Sequence, residues 1–142
     1  MSAGEVSSVL ESADGFTYDS SNATDGKLST AWVEGASGPG VGEGVVLGAD
    51  KRVSVSSITF ASGYQKSEDI YYKNARPKQI TLVDGKTGET ICTVTLEDAP
   101  GSAQVVRFQG DPVNTSSIRL VIDSVYPGNK YEDCAISEIS VA

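Results

Sequence analysis

The sequence predicts an all-β domain, a sandwich or barrel of about eight short strands. The hydrophobic pattern repeats every two residues along most of the chain and not every 3.6. Turn-forming residues interrupt these alternating runs at short intervals, as in DGKTGE at 84–89 and DAPG at 98–101. No stretch carries an amphipathic helical pattern of useful length. With 142 residues and no repeat, low-complexity tract or linker, the chain reads as a single domain, 1–142, long enough to bury its own core.

The expected strands follow in order. VSSVL at 6–10 is the first and EGVVLG at 43–48 the second. VSVSSITF at 53–60, PKQITLVD at 77–84, TICTVTL at 90–96, QVVRFQG at 104–110, SIRLVID at 117–123 and AISEISV at 135–141 complete the set. Three segments fall outside the pattern: the opening stretch, the glycine-rich VEGASGPGVGEG at 33–44, and SVYPGNKYED at 124–133. Loops of this length in a compact domain are usually functional, and a sandwich gathers its loops at two ends.

Composition removes whole classes of function. There is no histidine, which excludes a Ser-His-Asp or Cys-His triad and the commonest zinc ligand. A net charge of -8 argues against nucleic acid or an anionic membrane as the main partner. The glycines of GPGVGEG are not a phosphate cradle, because no helix and no GK[ST] follow. Paired carboxylates suited to glycoside hydrolysis are conceivable among 19 acidic residues, but no spacing singles one out. The chain is read as a non-enzyme. Cys92 and Cys134 are too few for a disulfide framework; they are two small buried thiols or one bridge. The N-terminus has no secretory signal pattern as it stands, and the chain is read as a domain taken from a longer protein.

One segment runs against the composition. SGYQKSEDIYYKNARPK at 62–78 holds four of the eleven Lys and Arg and three of the six tyrosines, without a strand pattern.

Within such an all-β chain, DGKLSTAW at 25–32 resembles the D-G-x-x-x-T-x-W signature of discoidin-like domains, also called F5/8 type C or galactose-binding-like domains. SEIS at 137–140 resembles their closing strand. GYQKSEDIYYKNARPKQI is similar to one bacterial branch, the NADase-type glycan-binding domain. The resemblance spans roughly residues 5–142. It implies a jelly-roll β-sandwich of about eight antiparallel strands. It also implies binding without catalysis, on secreted or surface bacterial proteins, with ligand held by loops at one end.

On that resemblance the 62–78 segment is the expected ligand loop. Tyrosine faces suit the apolar side of a pyranose, and amide or cationic groups suit its hydroxyls. Tyr64, Tyr71, Tyr72, Lys66, Asn74 and Arg76 are the candidates, joined by Glu34 and Tyr131 from neighbouring loops. A cation there would also suit sialic acid or sulfate. The alternative for each is loop architecture, with Arg76 paired to Glu68 or Asp69. Tyr71 and Tyr72 are adjacent and would face opposite ways in an extended segment, one packed and one exposed. Trp32, the only tryptophan, is expected in the core.

The resemblance further implies a structural Ca²⁺ held by Asp25, Thr30 and Glu138 with the carbonyls of Asn22, Lys27 and Ser137. Oxygen donors of this kind suit calcium. The family often carries a second acid where this chain has Lys27, which weakens the site; the other reading is a turn capped by Asp25. The expected partner is a glycan, or a protein docking on the same loops. Phospholipid is disfavoured, since the loop tips QKSED and ASGPG are not apolar. The isolated domain is expected to be monomeric.

Overall fold

The computed structural model describes residues 1–142 as two packed antiparallel sheets. Nine strands occur in the order β1 (Ser2–Val6), β2 (Trp32–Val33), β3 (Gly44–Val55), β4 (Ser57–Ser62), β5 (Arg76–Asp84), β6 (Thr90–Thr95), β7 (Gln104–Arg107), β8 (Val113–Tyr126) and β9 (Ala135–Val141). One sheet runs β1-β3-β8-β5-β6 and the other β2-β9-β4-β7. The all-β sandwich expected from the period-two pattern is therefore what forms.

The alternation works residue by residue. On β8, Ile118, Leu120 and Ile122 are buried between the sheets, and Arg119 between them is exposed. Ile80 and Leu82 of β5, Leu47 of β3, Phe60 of β4 and Ile136 and Ile139 of β9 fill the same layer. Each such side chain contributes about 1.5–3 kcal/mol on burial. Trp32 lies in this core, its Nε1 donating to the Ser8 carbonyl at 3.0 Å. Both cysteines are free thiols, Cys134 buried and Cys92 half-buried.

Four elements differ from expectation, the simplest being β2, a two-residue strand at Trp32–Val33 that was not expected. The first strand is Ser2–Val6, not 6–10. Residues 7–10 instead cross between the sheets: Ser7 N–H donates to Gly44 O at the start of β3, and Leu10 N–H donates to Val33 O on β2. The expected strands at 43–48 and 53–60 are redistributed. Val45 and Val55 share one strand, whose pairing with β8 shifts register between Gly48 and Val53. The chain then changes sheet at Ser56, where the Ser56 and Ser57 amides both donate to the Ala142 carbonyl. Last, Glu68–Lys73 is a short helix, α1, where no helix was expected. Ser67 caps it by accepting from Ile70 N–H at 3.1 Å. Glu68 and Asp69 stand in its positive first turn and Lys73 in its last, paired with Asp69 at 2.8 Å.

Candidate functional site

The helix decides which of the candidate residues meet. Helical neighbours are rotated by about 100°, so consecutive residues of α1 face different surroundings. Tyr71 points inward and is fully buried, while Tyr72 is 37% exposed. One packs and one faces outward, but through helical geometry and not through an extended segment.

Below α1 lies a closed polar network. Arg76 is 4% exposed. Its Nε donates to Asp98 Oδ1 at 3.1 Å and its Nη2 to Asp98 Oδ2 at 2.8 Å. Its Nη1 donates to the carbonyls of Asn74 and Pro127 at 3.0 and 3.2 Å. The Tyr71 hydroxyl donates to Asp98 Oδ1 at 2.7 Å. Tyr71 and Tyr72 meet edge to face at 5.1 Å, and the Arg76 guanidinium lies 5.0 and 5.3 Å from their ring centroids. Burial raises the Asp98 pKa, but hydrogen bonds from Arg76 and Tyr71 and the Arg76 charge outweigh it and hold the carboxyl below its usual range. Burial, then the hydrogen bond and charge of Asp98, push the Tyr71 phenol well up. Arg76 therefore pairs with Asp98 and not with Glu68 or Asp69, because its guanidinium turns inward beneath the helix. Arg76 and Tyr71 are the framework of the loop.

Gly63 is required by this network. Its φ is +78°, and a Cβ there would lie 2.6 Å from both the Tyr71 ring and Arg76 Cγ.

Glu34 does not join a ligand surface. It is 0% exposed; Oε1 accepts from Cys134 N–H and Oε2 from Ala36 N–H, both at 2.9 Å. Burial raises its pKa, partly offset by these two bonds, with Asp133 and Glu43 adding to the rise. The carboxylate ties the start of the glycine-rich loop to the approach to β9.

On the loop end a cleft of about 600 Å³ opens on the other side of α1. Of the candidates, Tyr64, Lys66, Asn74 and Tyr131 line it. Tyr64 is mostly buried and meets Tyr18 edge to face at 6.4 Å; burial, then Tyr18, raise its phenol pKa. Tyr131 and Phe16 present nearly half their surface, 45% and 46%. Lys66 Nζ lies 3.8 Å from the Phe16 ring centroid. Asn74 caps α1: its backbone N–H and its Nδ2 both donate to the Ile70 carbonyl, at 3.4 and 3.0 Å. Asp133 completes the wall, its carboxyl raised by burial and then by Glu132.

Phe16, Tyr18 and Asp133 were not among the sequence candidates. Phe16 is carried by a tight turn in which Ala13 and Phe16 exchange both backbone bonds, with Asp14 and Gly15 at positive φ. The Asp14-Gly15 pair is a turn signal readable in sequence. That the turn reaches the 62–78 loop is a tertiary fact.

Tyr72 and Arg76 border a separate depression of about 490 Å³ with Glu68, Asp69, Pro127 and Asn129. A third, of about 520 Å³ on the outer face of the five-stranded sheet, is lined by glycines, valines and Arg119 and carries no aromatic ring.

Four of the residues expected at a metal, Asp25, Lys27, Thr30 and Glu138, come together elsewhere. Asp25 Oδ2 accepts from the Thr30 hydroxyl at 2.5 Å, and Asp25 Oδ1 accepts from Lys27 N–H at 2.9 Å. Glu138 Oε2 accepts from Gly26 N–H at 3.0 Å, which joins the 25–30 turn to β9. Burial raises the Glu138 carboxyl, backbone bonds from Gly26 and Lys27 lower it, and the negative charge of Asp25 raises it further. The Thr30 hydroxyl also lies 3.4 Å from the Lys27 carbonyl. The donors gathered here are oxygens.

Solved structures share this architecture. A family 32 carbohydrate-binding module of NanJ from Clostridium perfringens, in complex with galactose, superposes with a TM-score of 0.72 at 18% identity, covering 96% of this chain and 90% of that one. Another Clostridium perfringens module, CpGH89CBM32-5, in complex with GalNAc-β-1,3-galactose, gives 0.74 at 17%, covering 96% and 91%. A chitosan-binding module from a chitosanase/glucanase of Paenibacillus sp. IK-5 gives 0.67 at 19%, covering 97% and 92%. At these identities the likeness establishes the fold. No curated protein sequence matches the chain. The family model of the NAD glycohydrolase translocation F5/8 type C domain matches residues 1–142, and the chain belongs to that family.

Proposed function

We propose that the domain is a non-catalytic carbohydrate-binding module whose ligand occupies the loop-end cleft. The observation that carries this reading is the chemistry of the cleft. The half-exposed rings of Phe16 and Tyr131, each with a lysine ammonium near one face, offer with Tyr18 and Tyr64 the apolar surface on which a pyranose packs. Asp133, Lys66 and Asn74 supply acceptors and donors for hydroxyls; Asn74 commits Nδ2 to Ile70 and keeps Oδ1 as an acceptor. The fold relatives solved with galactose and with GalNAc-β-1,3-galactose support the same ligand class. In this reading Tyr71, Arg76 and Glu34 are framework, and Tyr72 lies outside the cleft.

Asp25, Thr30 and Glu138 are proposed to hold a structural Ca²⁺ with carbonyls of Asn22, Lys27 and Ser137. Burial and the negative charge of Asp25 raise the Glu138 carboxyl, and no Lys or Arg pairs with either acid. A hard cation would relieve that repulsion and fasten the 25–30 turn to β9. The metal would act on stability, away from the sugar. The domain is proposed to work outside the cell as part of a larger bacterial protein.

A second reading keeps the cleft and replaces the sugar with a protein partner. Membership in a translocation domain family favours it, and aromatic walls with mixed charges suit either ligand. A broad glycan array, run in calcium and in EDTA with Tyr131→Ala as control, decides. Binding to a related set of glycans, lost in the variant, supports the module. Silence from the folded domain overturns it in favour of a protein partner.

A further inference from the structure

The charges of the cleft bear on which sugars it takes, an inference that rests on the cleft being the ligand site. Five charged side chains line it: Glu11, Asp14, Asp133, Lys66 and Lys73. An acidic sugar would depend on the lysines, and the cleft's three carboxylates outnumber the two that line it. Lys73 is ion-paired, Lys66 rests on an aromatic ring with its charge unpaired, and Lys130 lies at the margin, 5.3 Å from the Tyr131 ring centroid. Lys66 Nζ sits on the Phe16 ring face, 3.8 Å from its centroid. Lys73 Nζ is paired with Asp69 Oδ2 at 2.8 Å. The protein's ion pairs are Lys73–Asp69 and Arg76–Asp98, so none of the three carboxylates of the cleft is neutralised by a cation.

Ionised carboxylates only accept hydrogen bonds. A sugar hydroxyl or ammonium gives them a donor. A sialate, uronate or sulfate gives them another acceptor of the same charge, within a chain of net charge -8. We propose that the cleft selects uncharged and amine-bearing sugars and rejects sialylated, sulfated and uronic-acid glycans. The lysines, which in the sequence suggest affinity for acidic sugars, also shape the rim: Lys66 steadies Phe16, and Lys73 closes α1. Burial and then Glu132 raise the Asp133 carboxyl above its ordinary value.

The test uses the intact domain and matched soluble probes: galactosides and N-acetylgalactosaminides, their sialylated and sulfated counterparts, and chitosan oligosaccharides. Expected is binding of the neutral or amine-bearing probes, with the anionic counterparts at least about tenfold weaker. Raising ionic strength from about 0.01 M to about 1 M shortens the screening length from about 30 Å to about 3 Å. That change should narrow the gap between neutral and anionic probes. The triple variant Glu11→Gln/Asp14→Asn/Asp133→Asn, checked for folding by its melting temperature, should narrow the gap by about tenfold at low salt. Tighter binding of the sialylated or sulfated probes, weakened by Lys66→Ala, overturns the charge selection while leaving the cleft as the site. Silence from every class overturns both.

Discussion

Arg76 and Asp98 meet through two parallel hydrogen bonds, Nε to Oδ1 at 3.1 Å and Nη2 to Oδ2 at 2.8 Å, beneath the helix that carries the tyrosines. Arg76 leads β5 and Asp98 lies in the turn after β6, so the pair fixes the helix-bearing loop to the end of the five-stranded sheet. Removing the cation strands a carboxylate that also receives the Tyr71 hydroxyl. Arg76→Ala should cost about 2–4 kcal/mol, less than a fully buried pair because Asp98 keeps some exposure. Urea unfolding measures it; a loss below about 0.5 kcal/mol would return Arg76 to the class of free surface side chains.

Gly63 shares that network. A methyl group there meets the Tyr71 ring and Arg76 Cγ at 2.6 Å, and the backbone sits at φ +78°. Both effects destabilise, so Gly63→Ala should lower stability by roughly 2 kcal/mol or more. A thermal melt indistinguishable from wild type would show that the loop shifts freely, against the rigidity inferred here.

Tyr131 tests the opposite role. It is nearly half exposed at the cleft, and its truncation leaves both hydrophobic clusters of the core intact. Tyr131→Ala should leave unfolding free energy within about 0.5 kcal/mol and weaken glycan binding by roughly tenfold or more. Titration calorimetry with a glycan identified on the array reads the second effect. Unchanged affinity would remove Tyr131 from the ligand surface.

The calcium proposal makes a coupled prediction of melting temperature and pH. In EDTA the Glu138 carboxyl has a folded-state pKa above its ordinary 4.5. Its contribution to stability is then fully present below that value and is lost as pH rises through the raised folded pKa. Asp98 has the opposite sign: its contribution is present above its ordinary 3.8 and is lost as pH falls through the lowered folded pKa. Stability in EDTA should therefore fall on the alkaline side of the Glu138 transition. Saturating calcium should remove that fall and add about 2.7 kcal/mol at a hundredfold excess over Kd. Glu138→Ala should abolish the calcium response and, in EDTA, remove the fall with pH while losing the bond from Gly26 N–H. A melting temperature indifferent to calcium in the wild-type domain would sink the metal site.

Much of the sandwich was readable because its signal is local. Ile118, Leu120 and Ile122 alternate with Arg119 and Val121, and that alternation alone tells β8 which face is core. The signatures DGKLSTAW and SEIS were similarly readable, and together with the motif at 62–78 they pointed to the family that the whole-chain match establishes. The same local reading misplaced the first strand, because VSSVL at 6–10 has strand composition but uses its backbone to cross between sheets. It also missed α1, where six residues are too few for a helical period to stand out. The Ser67 cap followed by Glu68 and Asp69 was the available sign.

For the cleft the division is sharper. Sequence by itself determined the fold class, through a two-residue period, and the cluster of tyrosines and cations at 62–78, through composition. It could not sort that cluster. Tertiary structure sent Tyr71, Arg76 and Glu34 inward, set Tyr72 on one side of α1, and left Tyr64, Lys66 and Asn74 on the other beside Tyr131. It also brought Phe16 and Tyr18 across from the opening loop. The physical reason is range. Burial alternates along a strand and is written in neighbouring residues, whereas a partner such as Asp98 for Arg76 or Phe16 for Lys66 stands far off in sequence and is chosen only when the loops pack.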